Sequence, residues 1–112
     1  GARHFAVQEA KIKSAQAELG KQLVAEQLTM EMQQAQFNLR NAYENFVLQK
    51  ENIELAERIY TKTQQKYDYG VASSFELTQT NNSYLEAQSN YLQAYMQLFQ
   101  AKNALEKLSH SL

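Results

Sequence analysis

The residues that could do chemistry in this sequence are two histidines, a closely spaced glutamate trio and a run of tyrosines. A hydrolase or an oxidoreductase needs acid, base, nucleophile or metal ligands that converge on one concave site. His4 and His110 stand at opposite ends of the chain, and neither has a second His or a Cys at ligand spacing. Both read as solvated surface residues. Glu51, Glu54 and Glu57 share one helical face, but Lys50 and Arg58 lie beside them, which is an ordinary solvated charge pattern. No catalytic, cofactor-binding or metal site is expected, and the chain does not read as an enzyme. Tyr60, Tyr84 and Tyr91 fall where rings would pack between helices with their hydroxyls at the rim. Tyr69 is off that line. Together with Val71, Ala72 and Phe75 it would form an exposed apolar group, which is how a docking surface would look, the plain alternative being a simple turn contact.

Those tyrosines are positioned by two long helical patterns, interrupted only at Lys66-Tyr67-Asp68-Tyr69-Gly70-Val71-Ala72-Ser73-Ser74-Phe75-Glu76. Gly70 can take the left-handed conformation that ends a helix, and Val71 after it is expected to fold back on the last turn. Ser73 with Glu76 three residues later spells a capping box for the next helix. The spacing therefore predicts a helix from about Arg3 to Tyr69, a turn over Tyr69–Ser73 and a second helix from about Ser74 to His110.

Composition agrees with one elongated all-α domain over the 112 residues, which include no Pro, no Cys, no Trp and three Gly. The apolar residues are spread thinly along helical patterns, so the core should be a seam. A net charge of −1 with both signs interspersed gives no basic stripe for phosphates, and nucleic acid is not expected as a partner. No apolar run approaches the ~18 residues that span a bilayer, so direct membrane insertion is not expected. The start, Gly1-Ala2-Arg3-His4-Phe5, lacks the apolar core of a signal peptide, and any targeting segment is expected to lie outside this sequence.

The first pattern is long enough for a helix of ~100 Å at 1.5 Å per residue. From Leu28 on, its seam runs Met32, Ala35, Leu39, Ala42, Phe46, Gln49, Ile53, Ala56, Tyr60, Thr63 and Tyr67, in steps of four and three. The second seam runs Leu77, Thr80, Tyr84, Ala87, Tyr91, Ala94, Leu98, Ala101, Leu105, Leu108 and Leu112. Folding back at Gly70 pairs Tyr67 with Leu77, Thr63 with Thr80, Tyr60 with Tyr84, Ala56 with Ala87, Ile53 with Tyr91, Phe46 with Leu98, Ala42 with Ala101 and Leu39 with Leu105. The expectation is an antiparallel coiled-coil hairpin whose first helix is much the longer. Side stripes of Tyr43, Val47 or Leu48, Leu55 and Ile59, and of Leu85, Leu92, Met96 and Phe99, imply further helical neighbours. Before Leu28 the stripe of Ile12, Ala15, Leu19 and Leu23 has no partner in the chain, and the step from Leu23 to Leu28 breaks the rhythm as a stutter would. That stretch is expected to find its cover in another copy of the chain or in parts of a parent protein outside this sequence, and the isolated hairpin is expected to oligomerise or swap.

The stretch Lys66–Leu77, followed by Gln79-Thr80-Asn81-Asn82-Ser83-Tyr84-Leu85-Glu86-Ala87-Gln88 and then Tyr91, Ala94 and Leu105, resembles the TolC-like outer-membrane efflux proteins. In that family a Tyr-x-x-Gly-x-x-Ser turn joins two long periplasmic helices. The similarity is strongest over residues 60–108 and compositional before that. The resemblance implies a conduit, with hairpins from three protomers forming a tunnel in the periplasm below a β-barrel in the outer membrane. It also implies that the tips meet a periplasmic adaptor (membrane fusion) protein that links the channel to an inner-membrane pump. Tyr67, Gly70, Val71, Ser73 and Glu76 match the tip motif, so the implied docking set is these with Tyr69, Ala72 and Phe75. Ala72 stands where some members carry Arg, and Gln79 where some carry an Asp that helps to close the entrance. Those departures speak against an ionic latch here. The competing reading is a coiled-coil stalk module with no transport role; a third, the adaptor's own hairpin, lacks its pattern of Arg and Leu before the turn.

Overall fold

The computed structural model describes residues 1–111 as two helices, α1 (Ala2–Asp68) and α2 (Ser74–His110), folded back on each other in a rod 102 × 19 × 14 Å. The fold class and both helix limits agree with the periodicity to within a residue or two. Leu112, placed at the end of the second seam, lies outside the described residues. α1 runs unbroken through Gly20, which stands clear of other groups. Leu28, Met32, Leu39, Ala42, Phe46, Gln49, Ile53, Ala56, Tyr60 and Thr63 are half-buried at the expected steps, and Ala35 is buried. On α2 the seam residues Leu77, Thr80, Tyr84, Ala87, Tyr91, Leu98, Ala101, Leu105 and Leu108 are half-buried, as are Asn81, Gln88 and Asn103, with Ala94 the most enclosed at 1% exposure. The seam stops at Thr63. Tyr67, expected to close the last layer against Leu77, is exposed instead.

The polar residues in the seam are satisfied within their own helices. Thr63 Oγ1 donates to the Ile59 carbonyl at 2.8 Å and Thr80 Oγ1 to that of Leu77 at 3.0 Å, while Gln49 Nε2 donates to Asn45 Oδ1 at 3.2 Å. Among the described residues no buried side-chain polar atom lacks a partner. Short side chains with internally bonded hydroxyls let two helices approach without leaving an unmade hydrogen bond.

Ring contacts in the seam reach beyond the layer partners read from the periodicity. The Tyr60 and Tyr84 rings do meet, with centroids 5.9 Å apart. Phe46, however, sets its ring 5.4 Å from Tyr91 and 6.2 Å from Tyr95, nearer the tip than its expected partner Leu98. The physical reason is knobs-into-holes packing. Tyr91, Ala94, Tyr95 and Leu98 occupy the i, i+3, i+4 and i+7 corners of one hole, and the small Ala94 leaves room for the ring. At the far end Ala35 shares a groove with Ala101, Ala104 and Leu108, which places it between residues in the same manner.

The side stripes stay exposed at Tyr43, Leu48, Leu55, Ile59, Leu85, Leu92, Met96 and Phe99, while Val47 is half-buried. Every residue from Gly1 to Gln27 is exposed, since α2 ends before it can cover that part of α1. The ion pair found among the described residues, Lys13 with Glu9 at 3.7 Å, is itself largely exposed and contributes little. Stability therefore rests on the seam and on the turn.

The turn's share can be measured. Ser73 Oγ accepts from the Glu76 amide at 3.1 Å, and the Glu76 carboxylate accepts from the Ser73 amide at 3.3 Å, so both halves of the capping box form. Ser73→Ala removes one of them and is expected to cost about 1 kcal/mol. Thermal unfolding followed by circular dichroism should show a fall of roughly 4–8 °C, the scale for a domain near 100 residues; an unchanged midpoint would mean that the box contributes nothing.

Candidate functional site at the hairpin tip

The helix stop is built from backbone. Tyr69 ends α1 with φ −86° and ψ 1°, and Gly70 follows in the left-handed region at φ 77°. That reversal aims the next amides back at the helix. Gly70 N–H donates to the Tyr67 carbonyl at 2.9 Å, Val71 N–H to the Lys66 carbonyl at 2.8 Å and Ala72 N–H to the same oxygen at 3.2 Å. The first two bonds are the Schellman pair that satisfies carbonyls left open at a helix end. One residue later Ser73 starts α2, and the Glu76 carboxylate sits in its first turn, where the helix dipole favours negative charge.

The side chains of this turn divide into two groups. Gly70, Ser73 and Glu76 shape it, and Ala72 is turned inward at 9% exposure. Tyr69, Val71 and Phe75 point outward at 85%, 75% and 73% exposure, and Tyr67 lies exposed beside them. Two expectations need correction here. Val71 does not fold back on the last turn, because the positions it would meet there, Lys66 and Gln65, are both polar. Ala72, expected in the exposed apolar group, occupies the inner side of the turn instead. Tyr67 was legible in the sequence both as a seam residue and as part of the tip, and its exposure assigns it to the tip.

Among the described residues no group of three or more His, Asp or Glu side chains is placed to hold a metal ion. The groove lined by Ala25, Leu28, Thr29, Met32, Gln33 and Gln36 combines apolar groups with amides and a hydroxyl, and a shallow one near the tip is lined by Glu57, Arg58, Thr61, Lys62 and Gln65. One end of the rod exposes Tyr69, Val71 and Phe75, and its sides expose apolar stripes. No described helix is long and apolar enough to cross a membrane.

A proline-free rod of two helices, held by a seam and ending in a capped turn, defines a coiled-coil hairpin. Its sequence matches the outer membrane efflux protein family over residues 1–109, and the chain belongs to that family. Membership gives it an outer membrane efflux role within a family of transport channels, which assemble as oligomers in multi-component efflux systems. No curated protein and no solved structure matches the chain.

Proposed function

We propose that this hairpin is a periplasmic part of the wall of a trimeric efflux channel and that its tip docks a periplasmic adaptor protein. The observation that carries the docking reading is the outward display of Tyr69, Val71 and Phe75 on a turn whose geometry needs none of them. Stopping α1 takes Gly70, and starting α2 takes Ser73 and Glu76. Three apolar side chains exposed at one turn are otherwise a cost to solubility. Within the docking set, Tyr67, Tyr69, Val71 and Phe75 supply contact area, and Gly70, Ala72, Ser73 and Glu76 hold it in shape. The exposed side stripes serve the wall, each facing a helix of a neighbouring hairpin.

Val71→Asp separates contact from shape. The side chain is free of the fold, so the hairpin should keep its helicity and its melting temperature. An unpaired carboxylate in a contact that must lose water costs on the order of 2 kcal/mol or more, so export by the full-length channel should fall at least tenfold with normal levels in the outer membrane. Normal export by a well-inserted Val71→Asp channel would return the stretch to being only a well-capped turn.

A further inference from the structure

The two apolar side stripes lie on opposite flanks of the rod. In an antiparallel coiled-coil pair, positions just before a seam residue on either helix share one flank, and positions just after it share the other. The groove that Glu31, Gln34 and Asn38 of α1 form with Ala104 of α2 shows this, since each of these stands one position before a seam residue. By the same rule Leu48, Leu55 and Ile59, which precede Gln49, Ala56 and Tyr60, lie on that flank. Leu85, Leu92, Tyr95 and Phe99, which follow Tyr84, Tyr91, Ala94 and Leu98, lie on the other, and both stripes are exposed. The contacts of Tyr60 with Tyr84 and of Phe46 with Tyr91 set the stripes at the same height on the rod. Each flank at this height thus has one apolar helix and one polar helix. Beside the α1 stripe, α2 presents Ser83, Glu86, Asn90 and Gln93; beside the α2 stripe, α1 presents Lys50, Glu54, Glu57 and Thr61.

We infer that each stripe is covered by a second copy of this chain standing level with it and pointing the same way, the α1 stripe of one hairpin against the α2 stripe of the next, an inference that rests on the wall reading above. A two-fold axis along the rods would set each apolar stripe against a polar row. One across the rods would pair identical stripes and send the tips to opposite ends. Two different stripes on opposite flanks suit a head-to-tail contact, which repeats from copy to copy and keeps every tip at one end. Charge fixes the height of the neighbour. Lys50 and Glu57 stand one position after the seam residues Gln49 and Ala56, and Glu51 and Arg58 stand two after, on the edge of α1 farthest from α2. None of these four is in an ion pair within the described residues. When two hairpins stand level, the edge with Glu51 and Arg58 approaches the flank on which the next copy carries Lys50 and Glu57, so that Glu51 faces Lys50 and Arg58 faces Glu57. A slip of one heptad sets Glu51 against Glu57 in one direction and Arg58 against Lys50 in the other. Like charges placed that way select register and partner more than they alter affinity.

The test is disulfide cross-linking of the full-length protein under mild oxidation, with paired substitutions as its only cysteines; the sequence here contains none. A disulfide needs Cα atoms within about 7 Å, so it reports which positions face each other. Ile59→Cys with Leu85→Cys, level with each other on opposite flanks, is expected to link copies into dimers and trimers. Leu48→Cys with Ile59→Cys should link none, and cross-linking there would show antiparallel rods and overturn the inference. Ile59→Cys with Leu92→Cys or with Thr78→Cys, one heptad off in either direction, should also link none. A bridge at either of these in place of the Ile59–Leu85 bridge would overturn the common height. All the substituted positions are exposed, so the seam is left intact. A protein that assembles as an oligomer yet links through none of the pairs would overturn the inference as well. Failure of the native full-length protein to assemble would instead remove the wall reading on which the inference stands.

Discussion

Gly70→Val is expected to lower the stability of the hairpin by roughly 1–2 kcal/mol or more and to abolish export while leaving most of the helix intact. The turn places Gly70 at φ 77°, where an L-residue brings Cβ against the carbonyl oxygen at a cost of roughly 1–2 kcal/mol. A β-branched side chain is least able to adopt that conformation. Crowding plays no part, since a Cβ built on Gly70 meets nothing within 4 Å. The penalty is one of backbone conformation, and that makes it graded and testable. Gly70→Asn, whose short polar side chain tolerates the left-handed region, should retain most of the stability and most of the export. Gly70→Val has two ways to relieve the strain. It can distort the Schellman bonds to Lys66 and Tyr67, which redirects Tyr69 and Val71, or it can straighten the turn and exchange α2 between two chains, because the seam contacts are equally available between molecules. Melting curves and sedimentation of the two variants, with export by the full-length protein, distinguish these routes. A Gly70→Val hairpin with the native midpoint, native mass and native export would show that the left-handed stop is dispensable.

The seam was legible because a helical stripe depends only on which residues recur at three and four positions, and Leu28 to Thr63 and Leu77 to Leu108 do so without a break. The capping box was legible for a similar reason, being a local bond pattern between Ser73 and Glu76. The Tyr60–Tyr84 layer was legible too, but the contacts of the Phe46 ring with Tyr91 and Tyr95 were not, because periodicity says which face turns inward and not which rings each knob meets as it fills the hole before it. The division between Val71 and Ala72 was also hidden. Two adjacent apolar residues after a left-handed glycine look alike in sequence, and the path of the backbone decides that Ala72 goes in and Val71 stays out. The proposed docking role of the tip rests on its exposed apolar residues and on resemblance to the efflux family, and the structure adds that Tyr69, Val71 and Phe75 are exposed on a hydrogen-bonded turn.

Self-association through the uncovered part of α1 carries the other large expected effect. From Ala2 to Gln27 this helix makes no contact cover of its own, yet it repeats Phe5, Ile12 and Leu19 every seven residues and adds Leu23 and Val24, all of them exposed. A helix held in water by its continuity with a covered stretch does not need such a stripe; polar residues would serve it better. Fully burying a large apolar side chain is worth about 1.5–3 kcal/mol. Four of them, Phe5, Ile12, Leu19 and Leu23, amount to roughly 6–12 kcal/mol per chain on that scale, of the order of the freedom lost when two molecules associate. The side stripes add to this, so the balance favours assembly. Sedimentation of the hairpin should therefore show a mass that rises with concentration. Ile12→Glu, Leu19→Glu and Leu23→Glu together should shift it to the monomer, with helicity retained because these residues lie beyond the reach of α2. The stripe would lose this role if the unaltered chain stayed monomeric and fully helical at high concentration, or if the triple variant associated as strongly as the native one.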